Sequence, residues 1–128
     1  MRFDFRHYTF NSIFRLEDYS AEILLIDNDL DQSQLTRANQ LIQHTNENIQ
    51  IIINILSDAS KNWSVSRIGK AERSALILGI SELLLNLTPR KVIVSEWTKI
   101  VDKHSSSDGA KFVNAILDNI SKNNDIDN

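Results

Sequence analysis

A chain of 128 residues with a formal net charge of −3 is sized for one domain and lacks the overall basic charge usual in a nucleic-acid binder. The absence of cysteine excludes a disulfide framework, a thiolate metal site and a cysteine nucleophile. Three glycines and a single proline are too few for a turn-rich β architecture, while 41% hydrophobic residues suffice for a core, so the composition points to helices.

In chain order, Phe3, Phe10, Ile13, Phe14 and Leu16 predict a first helix over residues 3–17. Residues 21–26 are apolar nearly throughout and read as a helical turn or a strand, and 28–32 as an acidic loop. Asp31 is a good N-cap, with Gln34 in capping-box position behind it. The stripe Leu35, Ala38, Leu41, Thr45, Ile49, Ile52 and Leu56 then predicts one long helix over 33–58. Residues 61–66, with Trp63 and Val65, read as a short helix or turn. From 70 to 85 apolar residues cover almost the whole circumference, the mark of a helix buried on all sides. Gly79 within it costs up to about 1 kcal/mol of helix propensity, which implies a close helix–helix approach in return.

Thr88-Pro89 predicts a helix start, with Thr88 as cap and Pro89 in the first turn. That helix reaches Lys103 and puts Ile93, Trp97 and Ile100 on one side. After a break at 105–109, with Ser107 or Asp108 as N-cap, the last helix spans 109–122. Its core face carries Phe112, Val113, Ile116 and Leu117, and Asn114 among them is expected to be buried. Residues 123–128 form a polar, frayed tail. The expectation is an all-α domain of about seven helices, with a seam near residue 60 that divides an N-terminal bundle (1–60) from a C-terminal one (61–122).

Charge follows the same seam. Residues 17–60 carry Glu17, Asp18, Glu22, Asp27, Asp29, Asp31, Glu47 and Asp58 against Arg37 alone. Past it, Lys61, Arg67, Lys70 and Arg73 form one basic patch, and Arg90, Lys91, Lys99 and Lys103 another. Such residues suit phosphate contacts or ordinary solvated helix faces equally well. His7, His44 and His104 are too scattered for a metal site. The calcium-like run from Asp27 has Gln32 and Ala38 where a binding loop needs Gly and Glu. No phosphate-cradling or nucleophile motif occurs, and the acids Glu82 and Glu96 have no nucleophile, metal or cofactor to work with, so neither an enzyme nor a cofactor is expected. No apolar run can span a membrane and no secretory core opens the chain, which makes the cytoplasm the expected location.

Three ordered segments carry a resemblance. Residues 71–83, Ala-Glu-Arg-Ser-Ala-Leu-Ile-Leu-Gly-Ile-Ser-Glu-Leu, are followed by Pro89-Arg90-Lys91-Val92-Ile93-Val94-Ser95-Glu96 and then by Lys111-Phe112-Val113-Asn114-Ala115-Ile116-Leu117-Asp118. Together with Trp63 and Arg67-Ile68, they resemble the NusB family of transcription antitermination factors over residues 63–120. The resemblance implies two small helical bundles, no enzymatic activity, and binding of boxA-like ribosomal RNA transcripts jointly with ribosomal protein NusE in an antitermination assembly on RNA polymerase. It implies RNA contacts at Arg2, Arg6, Arg15, Lys111 and Asp118, and partner contacts at Phe14 and Glu82. Family members occur as monomers or homodimers. Two related readings are a NusB-fold protein-interaction adaptor without RNA affinity, and an RNA-targeting module akin to the front domain of ribosomal RNA cytosine methyltransferases.

The chain departs from the family pattern in several places. The arginine cluster at the family's N-terminus is reduced to Arg2 and Arg6 around Asp4. Ile77, Ser81 and Gly109 stand where the family tends to have Arg, Tyr and Ser. Each lost phosphate contact lowers the salt slope of binding by about one unit, so RNA binding here is expected to depend more on the partner.

Overall fold

The computed structural model describes residues 4–16, 31–61 and 67–123, with side chains over 4–12, 31–61 and 67–122. Among these residues there are six α-helices and no strand: α1 (Phe5–Leu16), α2 (Gln32–Glu47), α3 (Ile49–Ala59), α4 (Lys70–Leu85), α5 (Arg90–His104) and α6 (Ser107–Asn123). The all-α expectation holds. The short elements expected at 21–26 and around Trp63 and Val65 lie outside the described residues.

Polar side chains set the helix starts. Asp4 Oδ1 accepts from the backbone N–H groups of Arg6 (3.0 Å) and His7 (3.3 Å) and so opens α1. Asp31 caps α2 as expected, accepting from the Gln34 N–H at 2.9 Å. The Gln34 side chain reaches across to α1. Its Oε1 accepts from the Phe5 N–H at 2.9 Å, which ties α2 to the open end of α1.

The single helix expected over 33–58 is two helices that meet at Asn48. Its N–H is shared between the carbonyls of His44 (3.1 Å) and Thr45 (3.3 Å), and its Nδ2 also donates to His44 O at 2.9 Å. A short amide side chain that competes for a helical carbonyl is the local cause of the break. The break re-phases the stripe. Ala38, Leu41, Thr45, Ile52 and Leu56 are buried, whereas Ile49, expected among them, is 43% exposed.

The start of α5 shifts by one residue. Pro89 is the N-cap, extended at φ −56° and ψ 140°, and its carbonyl accepts from Val92 and Ile93, both at 3.1 Å. The Thr88 hydroxyl, expected to cap, accepts instead from Arg37 Nη2 at 3.1 Å. The cap of α6 shifts likewise to Ser106, whose Oγ accepts from the Gly109 N–H at 2.9 Å.

Helix α4 packs against each of the other five described helices, while α5 packs along α6 and α1 along α2. From Ala71 to Leu83 its buried positions include Ser74, Ala75, Leu76, Leu78, Gly79, Ile80, Ser81 and Glu82. A β-carbon at Gly79 would lie 2.9 Å from Leu117 Cδ1 and 3.4 Å from Trp97 Cδ1, so both α5 and α6 close on this glycine. The buried face of α6 is Ala110, Val113, Leu117 and Ile120. Phe112 and Ile116 are only partly buried, and Asn114, expected inside, is exposed because it lies beside this face.

Candidate nucleic-acid interface

Two expected site residues meet inside the molecule. Arg6 projects from the first turn of α1 and Glu82 from the last turn of α4. Arg6 Nε donates to Glu82 Oε1 at 2.9 Å and Arg6 Nη2 to Oε2 at 2.6 Å, a two-pronged pair in which both side chains are buried. Trp97 Nε1, from α5, donates to the same Oε1 at 2.8 Å. One carboxylate therefore joins three helices. Asp4 adds a longer contact to Arg6 Nη1 at 3.5 Å and a closer one to His7 Nδ1 at 3.0 Å. Burial raises the Asp4 pKa, but the His7 contacts and the Arg6 charge outweigh it and hold the carboxyl below its ordinary range. Sequence reasoning put Arg6 on RNA and Glu82 on a partner. Here their charged groups are spent on each other, and 3% of the Glu82 side chain is accessible.

The cations of α5 and α6 face outward. A groove of about 470 Å³ between these helices is lined by Arg90, Lys91, Lys99 and Lys122, with Ser95, Thr98, Asn114 and Asp118. Its floor includes Thr98, whose hydroxyl is buried without a hydrogen-bond partner among the described residues. A smaller cleft of about 280 Å³ continues along α5 to Lys111, sharing Thr98, Lys99 and Asn114 with the groove. Lys91 and Lys111 are exposed. Asp118 pairs with Lys122 at 3.0 Å across one turn of α6, a solvent-screened contact worth at most about 0.5 kcal/mol. The Arg90 guanidinium also donates to the Ser121 carbonyl, which pins the start of α5 to the end of α6.

Of the expected RNA residues, then, Lys111 and Asp118 share one face of α6 beside this groove, while Arg6 is internal. Arg2 and the side chains of Phe14 and Arg15 lie outside the described residues. Sequence reasoning missed Ser95, Thr98 and Lys122 as groove residues. Only the i, i+3, i+4 spacing of Lys91, Ser95, Thr98 and Lys99 along α5 could have signalled them. It also missed Glu72, whose carboxylate accepts from the Ser105 hydroxyl and fills the space over Gly109, where the family tends to have Ser. Among the described residues no cluster of His, Asp and Glu could hold a metal ion, and no helix is long and apolar enough to cross a membrane.

A family model described as the NusB family matches residues 5–122, nearly the whole chain and all six helices. The chain belongs to the NusB family. A transcription antitermination protein NusB from Fervidobacterium nodosum is 33% identical over 120 residues, covering 93% of this chain and 79% of that protein. The match to some other curated NusB relatives spans less than two thirds of the relative's length. Among solved structures, T. maritima NusB superposes with a TM-score of 0.82 at 28% identity, over 93% of this chain and 89% of that one. A chain in the crystal structure of a plectonemic RNA supercoil gives a TM-score of 0.84 at 25% identity, over 92% and 91% of the two chains. The Fervidobacterium nodosum relative is named for transcription antitermination, which directs attention to a binding surface.

Proposed function

We propose that this chain is a transcription antitermination factor that binds boxA-like ribosomal RNA transcripts together with ribosomal protein NusE, as part of an assembly on RNA polymerase in the cytoplasm. The observation that carries the reading is the α5–α6 groove of a NusB-family chain, where Arg90, Lys91, Lys99 and Lys111 line connected clefts beside the exposed amide of Asn114. Spaced single cations suit the phosphates of a single strand, and amide and hydroxyl groups suit base edges and 2′-hydroxyls. Asp118, already neighboured by Lys122, suits an amino or hydroxyl donor of the RNA rather than a phosphate.

In this reading Lys111 and Asp118 touch RNA together with Arg2 and Arg15, and Phe14 faces the partner. Arg6 and Glu82 act from within, because their pair fixes the angle at which α1 leaves α4. The chain is organised as an N-terminal bundle (1–60) and a C-terminal bundle (61–122), with α4 reaching into both.

Fluorescence anisotropy with boxA-like RNA, with and without NusE, tests the proposal. Binding that strengthens when NusE is added is the expected result. Failure to bind either partner overturns it, and NusE binding with no gain in RNA affinity would leave a protein-interaction adaptor instead. In the same assay Lys111→Ala should weaken RNA binding and lower the salt slope by about one unit.

A further inference from the structure

Lys99 lines three clefts at once. It stands with Lys91 in the α5–α6 groove, with Lys111 in the smaller cleft beyond it, and with Arg37 and Phe5 in a third cleft where α1, α2 and α5 meet. The three clefts therefore adjoin at Lys99, which stands on α5 between the α5–α6 groove and the α1–α2–α5 cleft. This side chain is 57% exposed, and it pairs with Glu96 on its own helix at 3.3 Å. An exposed i, i+3 pair of that kind is weak and yields readily to a phosphate.

The α1–α2–α5 cleft is built differently from the groove. The Arg37 guanidinium lies 4.0 Å from the centroid of the Phe5 ring, and its Nη2 donates to the Thr88 hydroxyl at 3.1 Å. An aromatic ring beneath it and a hydrogen bond at its edge hold the guanidinium plane in place. A guanidinium plane held this way is a stacking platform for a nucleobase. The acids in this cleft are already engaged: Asp4 with Arg6 and His7, and Glu96 with Lys99. Asp4 therefore leaves no unpaired negative charge here, whereas Glu96 loses its lysine when Lys99 turns to a phosphate and subtracts from the gain of that contact.

We propose that single-stranded RNA held in the α5–α6 groove crosses α5 at Lys99 and places a base against Arg37 in the α1–α2–α5 cleft. The proposal rests on the RNA-binding reading of the groove and adds two contact residues and a direction of travel. The cations of the two clefts on α5 and α6, Arg90, Lys91, Lys99, Lys111 and Lys122, outnumber their acids, Asp102 and Asp118, which favours a polyanion over a protein ligand.

The test is fluorescence anisotropy with a single-stranded boxA-like RNA at several salt concentrations, on the full chain and three variants. Lys99→Glu should weaken binding by about tenfold and lower the salt slope by at least about one unit. Lys103→Glu, an equal charge change on the same helix outside the three clefts, should change affinity by less than about twofold. Arg37→Lys keeps the charge and loses the plane, so it should weaken binding with the salt slope unchanged. Equal effects of Lys99→Glu and Lys103→Glu, with normal binding by the unaltered chain, overturn this path and leave the groove reading intact. Loss of NusE binding by Lys99→Glu with RNA affinity unchanged overturns it in favour of a protein surface. If the unaltered chain binds no RNA, both readings fall.

Discussion

At the residue scale, Glu82 is the one carboxylate buried among the described residues. It accepts from Arg6 twice and from Trp97 once in a space closed to water. A buried pair of this kind contributes little net stability when intact and costs a great deal when halved. Arg6→Met should therefore lower unfolding stability by about 3–5 kcal/mol, because it strands a buried carboxylate. The double variant Arg6→Met, Glu82→Leu should recover much of that loss, less about 1–3 kcal/mol for the orphaned Trp97 N–H. Urea titration of the three proteins checks both values, and a double variant no better than the single would refute the account.

At the element scale, α4 is shaped by what approaches it. Leu117, fully buried, and Trp97 close on Gly79 and leave no room for a branched side chain. Gly79→Val should cost about 2 kcal/mol or more despite its better helix propensity, visible as a lower Tm. The contact of α2 with α4 carries a pH dependence. His44 Nδ1 lies 2.8 Å from Ser81 Oγ, which Thr45 Oγ1 also approaches at 2.8 Å. Burial holds the imidazole below its ordinary pKa, against the opposing pull of Glu47. A base depressed in the folded state takes up its proton more readily when unfolded. Its contribution to stability is therefore present above about pH 6.5 and is lost as the pH falls below that value. His44→Gln should flatten the stability profile across pH 7 to 5, and an unchanged slope would exclude His44 as its source.

At the scale of the whole molecule, periodicity made the long helices legible. The apolar run of α4 and the spaced face of α5 translate into burial, while on α6 the pattern holds for Val113 and Leu117 and not for Phe112 and Ile116. What periodicity hid was a choice among chemically similar options. Asn48 could continue a helix or close it, and its side-chain amide closes it. Thr88 looked like a cap, but Arg37 from a distant helix claims its hydroxyl. Arg6 looked like a surface cation because nothing local in the sequence places Glu82, 76 residues away, beside it. The candidate site was legible at Lys111 and Asp118, which share a helix. The rest of the groove depends on how α5 lies along α6. The net charge of −3 also reads differently in three dimensions, since the basic residues Arg90, Lys91, Lys99 and Lys122 line one groove.

Because α4 touches every other described helix, the backbone amides of its buried stretch from Ser74 to Leu83 should meet solvent only when the whole fold comes apart. They should be the slowest to exchange deuterium, with protection equal to the global unfolding free energy, while amides of α3 near the exposed Ile49 and Ile51 open earlier. The central helix is thus a built-in gauge. Its exchange rate on adding RNA or NusE would report the total binding free energy, and amides of α1, α2 and α5 would report which end of the molecule each ligand grips.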